Sequence, residues 1–237
     1  MIRHHPPLEL LFDYGAGSLP EPAALVVAAH AEMCGSCRRE IAGIEAIGGQ
    51  LLAEIEPVEM NASALERVMA RLDEPKRALS PAAAARVTAG KGRTSADKSA
   101  GVTLRSYPTA DQIPAVLQAY LGKDLTQLAW RRVGGMFEEF RLPIGVKGFK
   151  ASLMRLKPGS IMPVHTHRGR EYTLVLAGGY RDNGSEFGPG DFSLKDASDV
   201  HRPTVDDDEE CICLAVLDAP LKLTGMVGRL VNPFLRI

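Results

Sequence analysis

Gly159-Ser-Ile-Met-Pro-Val-His165-Thr-His167-Arg-Gly-Arg-Glu171-Tyr-Thr-Leu-Val-Leu-Ala-Gly178 decides the architecture of the second half of the chain. His165 and His167 stand two apart, so on a strand both imidazoles project to one face. Glu171 opens a second strand candidate, Tyr172 to Ala177, and can face the same interior. Two imidazoles and a carboxylate are metal ligands, and a third imidazole has to come from a distant strand. His201 is the only histidine left in this half.

The surroundings agree with a β architecture. Phe149, Ala151, Leu153 and Arg155 alternate with Lys150, Ser152, Met154 and Leu156, and Cys211 to Leu217 is a further strand candidate. Turns fall at Pro158-Gly159, Gly178-Gly179, Asp182-Asn183-Gly184 and Gly188-Pro189-Gly190. Short strands separated by such turns predict a sandwich or barrel, with one helix at its entrance from Ile113 to Leu121. Cys211 and Cys213 share a strand face with Ala215 and Leu217. Buried inert thiols are one reading of that pair; a redox-reactive pair is the other, although no neighbouring base is evident to lower a thiol pKa. The acidic run Asp206 to Glu210 reads as a solvated loop.

Toward the N-terminus the periodicity becomes helical. Leu8, Leu11 and Phe12 form a short face before Gly15 and Gly17. Pro22 opens a second helix through Leu25, Val26 and Ala29 to His30. Ile41, Ile44, Gly48, Leu51 and Ile55 mark a third helix, ending at Pro57. Ser63 and Glu66 predict a capping box for a fourth, whose face is Leu65, Val68, Met69 and Leu72. From Pro75 to Ser106 small residues and uncompensated Lys and Arg predict a mobile linker.

The junction of the second and third helices holds His30-x3-Cys34-x2-Cys37. His30 and Cys34 lie on one face of a helix end, and Gly35 lets the chain turn so that Cys37 closes on the same ion. Structural zinc takes four ligands in a tetrahedron; His4 and His5 are the nearest supply of the fourth.

Composition narrows the function classes. The net charge is −1, which excludes a bulk pull toward nucleic acid or anionic membrane. Glu32, Glu40, Glu45, Glu54, Glu56 and Glu59 outweigh Arg38 and Arg39 in the helical part, against direct nucleic-acid binding. No apolar run approaches the ~18–20 residues of a membrane span. The start, Met1 to Pro7, does not read as a secretory signal, and four cysteines in two close pairs point to metal or redox chemistry in the cytoplasm.

Gly159-x5-His165-x-His167-x3-Glu171-x6-Gly178 resembles the first motif of the cupin superfamily at every position. Gly188-Pro189-Gly190-Asp191 is similar to the turn of the second motif, but His201 lies further downstream than that motif places it, and Val205 stands where its Asn is usual. The whole chain resembles the ChrR family of anti-sigma factors through Ile2-Arg3-His4-His5, His30-x3-Cys34-x2-Cys37, Cys211-Ile-Cys213-Leu and Phe234-Leu-Arg-Ile. That resemblance implies a zinc-binding anti-sigma helical domain at 1–75, a linker at 76–106 and a cupin barrel at 107–237. It implies His5, the second His of the opening pair, as the fourth zinc ligand. It further implies that the helices clasp an extracytoplasmic-function-type sigma factor of RNA polymerase, and that the barrel senses singlet oxygen or organic peroxide. The stripe Leu65, Val68, Met69 and Leu72 is then either part of the clasp or ordinary core. His165, His167, Glu171 and His201 form a second metal set, for which zinc, Mn, Fe and Ni all suit the ligand type. The competing expectation is a metal-dependent cupin enzyme, a dioxygenase or isomerase carrying a zinc module, because the barrel hosts many chemistries.

Overall fold

A computed structural model describes residues 1–72, 113–133, 135 and 137–223; the expected linker and the Phe234-Leu-Arg-Ile end lie outside the described residues. Four helices come first: α1 (Leu8–Gly15), α2 (Glu21–Met33), α3 (Gly35–Ala53) and α4 (Ala64–Leu72). Pro22 sits in the first turn of α2, where its missing N–H costs nothing. At α4 the Ser63 hydroxyl donates to Asn61 Oδ1 at 2.9 Å and receives the Arg67 guanidinium at 2.6 Å. An Asn61 turn thus starts this helix in place of the expected capping box. The helix α5 (Ala115–Leu121) runs from Pro114 to Gly122, whose left-handed backbone closes it.

Eleven strands follow among the described residues: β1 (Arg131–Val133), β2 (Phe137–Arg141), β3 (Lys150–Leu156), β4 (His165–His167), β5 (Glu171–Ala177), β6 (Tyr180–Asp182), β7 (Ser185–Phe187), β8 (Phe192–Lys195), β9 (Thr204–Val205), β10 (Cys211–Leu217) and β11 (Leu221–Leu223). They form a six-stranded antiparallel sheet in the order β1-β2-β3-β10-β5-β8, a pair β11-β4 and a three-stranded sheet β7-β6-β9. This is the cupin architecture, jelly-roll-like, behind an N-terminal helical region. Asn183 and Gly184, both at positive φ, make the tight turn between β6 and β7.

By its contacts the chain divides into two compact units, Met1–Glu45 with Ala100–Ile237, and Ala46–Ser99. In the first unit the central strands have both faces buried. Leu153, Leu174, Leu214 and Val216 join Leu25, Val26, Val27 and Leu117 in one core. The opposite face gives Val175, Cys211 and Cys213 to a second cluster with Tyr180 and Phe187. Double burial explains why β10 reads as an unbroken apolar run instead of an alternation. In the second unit, the apolar residues Leu51, Leu52 and Ile55 after the middle of α3 are exposed, as is the whole α4 stripe.

Two candidate metal centres

The barrel centre rests on one irregular strand contact. His165 and His201 exchange backbone hydrogen bonds, 3.1 Å from His165 N to His201 O and 3.0 Å in return. A segment with no regular ladder thereby brings the distant third imidazole beside the first, and their ring centroids lie 4.2 Å apart. His167 Nε2 and His201 Nε2 are 2.9 Å apart, with Glu171 Oε2 at 3.6 Å from the former and 3.9 Å from the latter. Ligand atoms of His165, His167, Glu171 and His201 all lie within 4.8 Å of one another.

Outer contacts fix which nitrogen faces inward. Pro163 O accepts from His165 Nδ1 at 2.8 Å, and Asp182 Oδ2 accepts from His201 Nδ1 at 2.9 Å. Each remaining Nε2 therefore presents a lone pair to the centre. Lys195 Nζ lies 3.5 Å from the same Asp182 oxygen. Burial pulls His165 and His167 below the ordinary imidazole value, His167 to about 4, and lifts the Glu171 carboxyl to about 7. His167 Nδ1 is buried without a hydrogen-bond partner. The lowered imidazoles of His165 and His167, the largely shielded Glu171 carboxyl and the facing lone pairs fit a divalent cation and are costly without one. A cavity of about 110 Å³ adjoins His165, Glu171 and His201, and Met154, Cys211 and Cys213 also line it.

The second centre collects His5, His30, Cys34 and Cys37, with ligand atoms within 4.8 Å of one another. His5 Nδ1 is 3.4 Å from both thiols, and His30 Nε2 is 3.3 Å from Cys37 Sγ. Gly190 O, on the β7–β8 turn, accepts from His30 Nδ1 at 2.9 Å. Burial lowers His30 to about 4. Burial also raises the Cys34 thiol, but hydrogen bonds from the Cys37 and Ser36 N–H groups and the Ser36 hydroxyl outweigh it and bring it to about 7. Burial and the hydrogen bond with Cys34 push Cys37 up to about 12. Two thiols held this way do not ionise together unaided, which fits a cation between them.

The neighbouring His4 goes elsewhere: its ring stacks on Phe187 at 4.3 Å and its Nε2 meets Glu186 O at 3.0 Å. Leu65, Val68, Met69 and Leu72 stay exposed on α4, at 68, 57, 54 and 72%. Sequence reasoning did not single out Asp182, and it read Gly188 to Asp191 only as a turn. Nothing in the local sequence marks Asp182 as the partner of a histidine nineteen positions away.

Comparison with known proteins follows the same lines. Residues 122–219 match the ChrR cupin-like domain. Over 236 residues the chain is 38% identical to the anti-sigma-E factor ChrR of Cereibacter sphaeroides, covering 100% of this chain and 99% of that protein. The chain belongs to the ChrR family. The crystal structure of Rhodobacter sphaeroides SigE in complex with the anti-sigma ChrR superposes with a TM-score of 0.72 at 34% identity, covering 92% of this chain and 99% of that one. None of the described helices is long and apolar enough to cross a membrane.

Proposed function

We propose that this protein is an anti-sigma factor, a regulator rather than an enzyme, which binds a sigma factor of RNA polymerase and releases it under oxidative stress. The observation that carries the reading is end-to-end kinship with an anti-sigma factor, on a chain where both candidate ligand sets converge. His5, His30, Cys34 and Cys37 hold zinc, the ion that a two-thiolate, two-imidazole tetrahedron suits. When bound, zinc fixes the opening segment and the α2–α3 junction against each other and contributes to folding.

The functional division runs 1–75, 76–106 and 107–237: a helical sigma-binding region, a linker and a sensing barrel. The α4 stripe Leu65, Val68, Met69 and Leu72 supplies part of the sigma-binding surface. More than half of each of these side chains meets solvent, and a contiguous exposed apolar stripe marks an interaction site. His165, His167, Glu171 and His201 hold the second ion, zinc by preference, with Mn, Fe and Ni also suited to the donor set. Singlet oxygen or an organic peroxide is the signal, entering at the barrel. A sigma factor acts where polymerase does, so the protein works in the cytoplasm.

The test is transcription from a sigma-dependent promoter with purified polymerase, the full chain and a sigma factor that co-purifies with it from its host. Added protein should silence transcription stoichiometrically, and Leu65→Asp with Met69→Asp should relieve silencing while both metals stay bound. Full activity of polymerase at saturating protein would defeat the reading.

A further inference from the structure

The opening residues do not reach the His/Cys centre unaided. Asp191 Oδ1 accepts from the backbone N–H of Arg3 at 2.6 Å and of His4 at 2.9 Å. Its other oxygen accepts from Gly188 N at 2.9 Å, which closes the turn onto its own carboxylate. One residue on, Phe192 N donates to His4 O at 3.0 Å. Ile2 packs so closely on Gly190, at φ +87°, that a Cβ there would meet Ile2 Cδ1 at 2.5 Å. Arg3 adds a guanidinium contact to Glu186 at 3.4 Å. These contacts strap residues 2–4 to the β7–β8 turn, and His5 is the next residue. The same turn supplies Gly190 O to His30. Two of the four ligands in the helical region are therefore aimed by one turn of the barrel.

We propose that the turn Gly188–Phe192 is the outer shell of the His/Cys metal centre, and that Asp191 is the positioning residue which keeps His5 on the ion. The inference rests on the reading of that centre as a metal site. A carboxylate taking two successive N–H groups fixes the direction of the backbone as well as its position. Both bonds are charge-assisted, and Asp191 is almost fully buried. Hydrogen bonds of this kind to the main chain hold the Asp191 carboxyl below its ordinary value despite its burial. Outer partners of metal ligands commonly govern affinity by ~10–100-fold.

The arrangement also links the two centres. From Phe192 the strand β8 runs three residues to Lys195, which pairs in register with Glu171 and reaches Asp182, the carboxylate behind His201. A shift of β8 relative to β5 at the barrel centre moves the turn that holds His5 and His30.

The experiment compares the full-length wild type with Asp191→Ala, Asp191→Asn and His5→Ala. Zinc release to a chromogenic chelator is followed in time, and the cobalt-substituted proteins are examined by absorption, where thiolate-to-cobalt bands report only the His/Cys centre. Asp191→Ala should release zinc from that centre at least tenfold faster while the barrel ion leaves at the wild-type rate. Its cobalt spectrum should approach that of His5→Ala, with Asp191→Asn between it and wild type because one acceptor oxygen remains. Wild-type release and spectrum in Asp191→Ala would overturn the inference alone. Equal loss of both metals in the Ala and Asn variants would also overturn it, since the turn would then serve only the barrel fold. A wild type without thiolate-to-cobalt absorption would overturn the metal reading beneath it.

Discussion

The two centres use similar donors in opposite settings. In the barrel, three imidazoles are almost fully buried, and the outer partners of two of them, Pro163 for His165 and Asp182 for His201, lie within the same fold. In the helical region His5 is exposed and comes from a seven-residue opening stretch without secondary structure before α1, and two of the four ligands there are steadied by a turn of the barrel. The barrel centre sits among strands paired by regular ladders, β4 with β11 and β5 with β8 and β10. The His/Cys centre instead ties an opening stretch without regular structure to the α2–α3 junction, so an ion there contributes far more to holding structure together. A site whose ion holds the fold controls whether the region forms at all, whereas a pre-built site can change state without unfolding its surroundings.

The largest effect therefore belongs to the thiols. Cys37→Ala and Cys34→Ala should each remove one of two metal equivalents, with affinity at that centre falling by more than ~100-fold, beyond what outer partners contribute. Sigma-factor retention in a pull-down should vanish with the metal. Measured by mass spectrometry of the purified variants, two full metal equivalents would erase the contrast between a holding site and a sensing site.

Substitutions in the barrel should separate the two roles. His165→Ala, His167→Ala or Glu171→Gln should lower the barrel metal content while the sigma factor stays bound and silent. What should fade is release on exposure to singlet oxygen or an organic peroxide, followed as the stressor-induced rise in sigma-dependent transcription. Asp182→Asn should act in the same direction and more weakly, with barrel metal affinity reduced ~10–100-fold, as expected for an outer carboxylate. Variants that respond to the stressor as fully as wild type would place sensing outside the barrel.

The barrel was the more legible of the two regions, and the reason is local geometry. His165, His167 and Glu171 sit close in sequence on consecutive strands, so a period of two and a turn suffice to bring them together. His201 was harder, because its approach depends on an isolated backbone exchange with His165 instead of a ladder. The helices were legible from their periodicity, including the end of α2 at the ligand pair. Bonds between distant segments left no trace in the pattern. The choice of His5 over His4 depends on Asp191 and Phe192 gripping the chain one residue earlier, and neither strand register nor helix period encodes that. The exposure of the α4 stripe likewise follows from what packs nearby and not from the stripe itself.

The opening pair offers a finer test of the same contrast. His5 lies within 3.4 Å of both thiols, whereas His4 turns to Phe187 and Glu186. Zinc retention should fall ~10–100-fold in His5→Ala, at least the range found for weaker outer partners. His4→Ala should cost about 0.5–1.5 kcal/mol, the range for one ordinary hydrogen bond, visible as a small fall in Tm with zinc content unchanged. Competition with a chelator of known affinity checks both, and equal losses would mean that the strap, not the ligand, sets retention.

The smallest effect concerns acid, in protein stripped of metal by a chelator. His30 and His167 titrate near 4 in the folded chain, against ~6.5 when unfolded. Between those values the unfolded state binds more protons, so stability rises with pH and is lost as pH falls from 6.5 through 4. Glu171 acts with the opposite sign: burial lifts it to about 7, against an unfolded value of ~4.3. Across that interval the folded state holds the extra proton, and its contribution is lost as pH rises through 7. The carboxyl in the barrel thus masks part of the acid sensitivity of the imidazoles. Glu171→Gln should remove the mask, leaving a steeper fall in the urea midpoint of the stripped protein between pH 6.5 and pH 5 than in wild type. His30→Gln, at the other centre, should flatten the same profile. A Glu171→Gln profile parallel to wild type would mean that the barrel carboxyl is already solvated when metal is absent, and that the two centres differ less in burial than their geometry indicates.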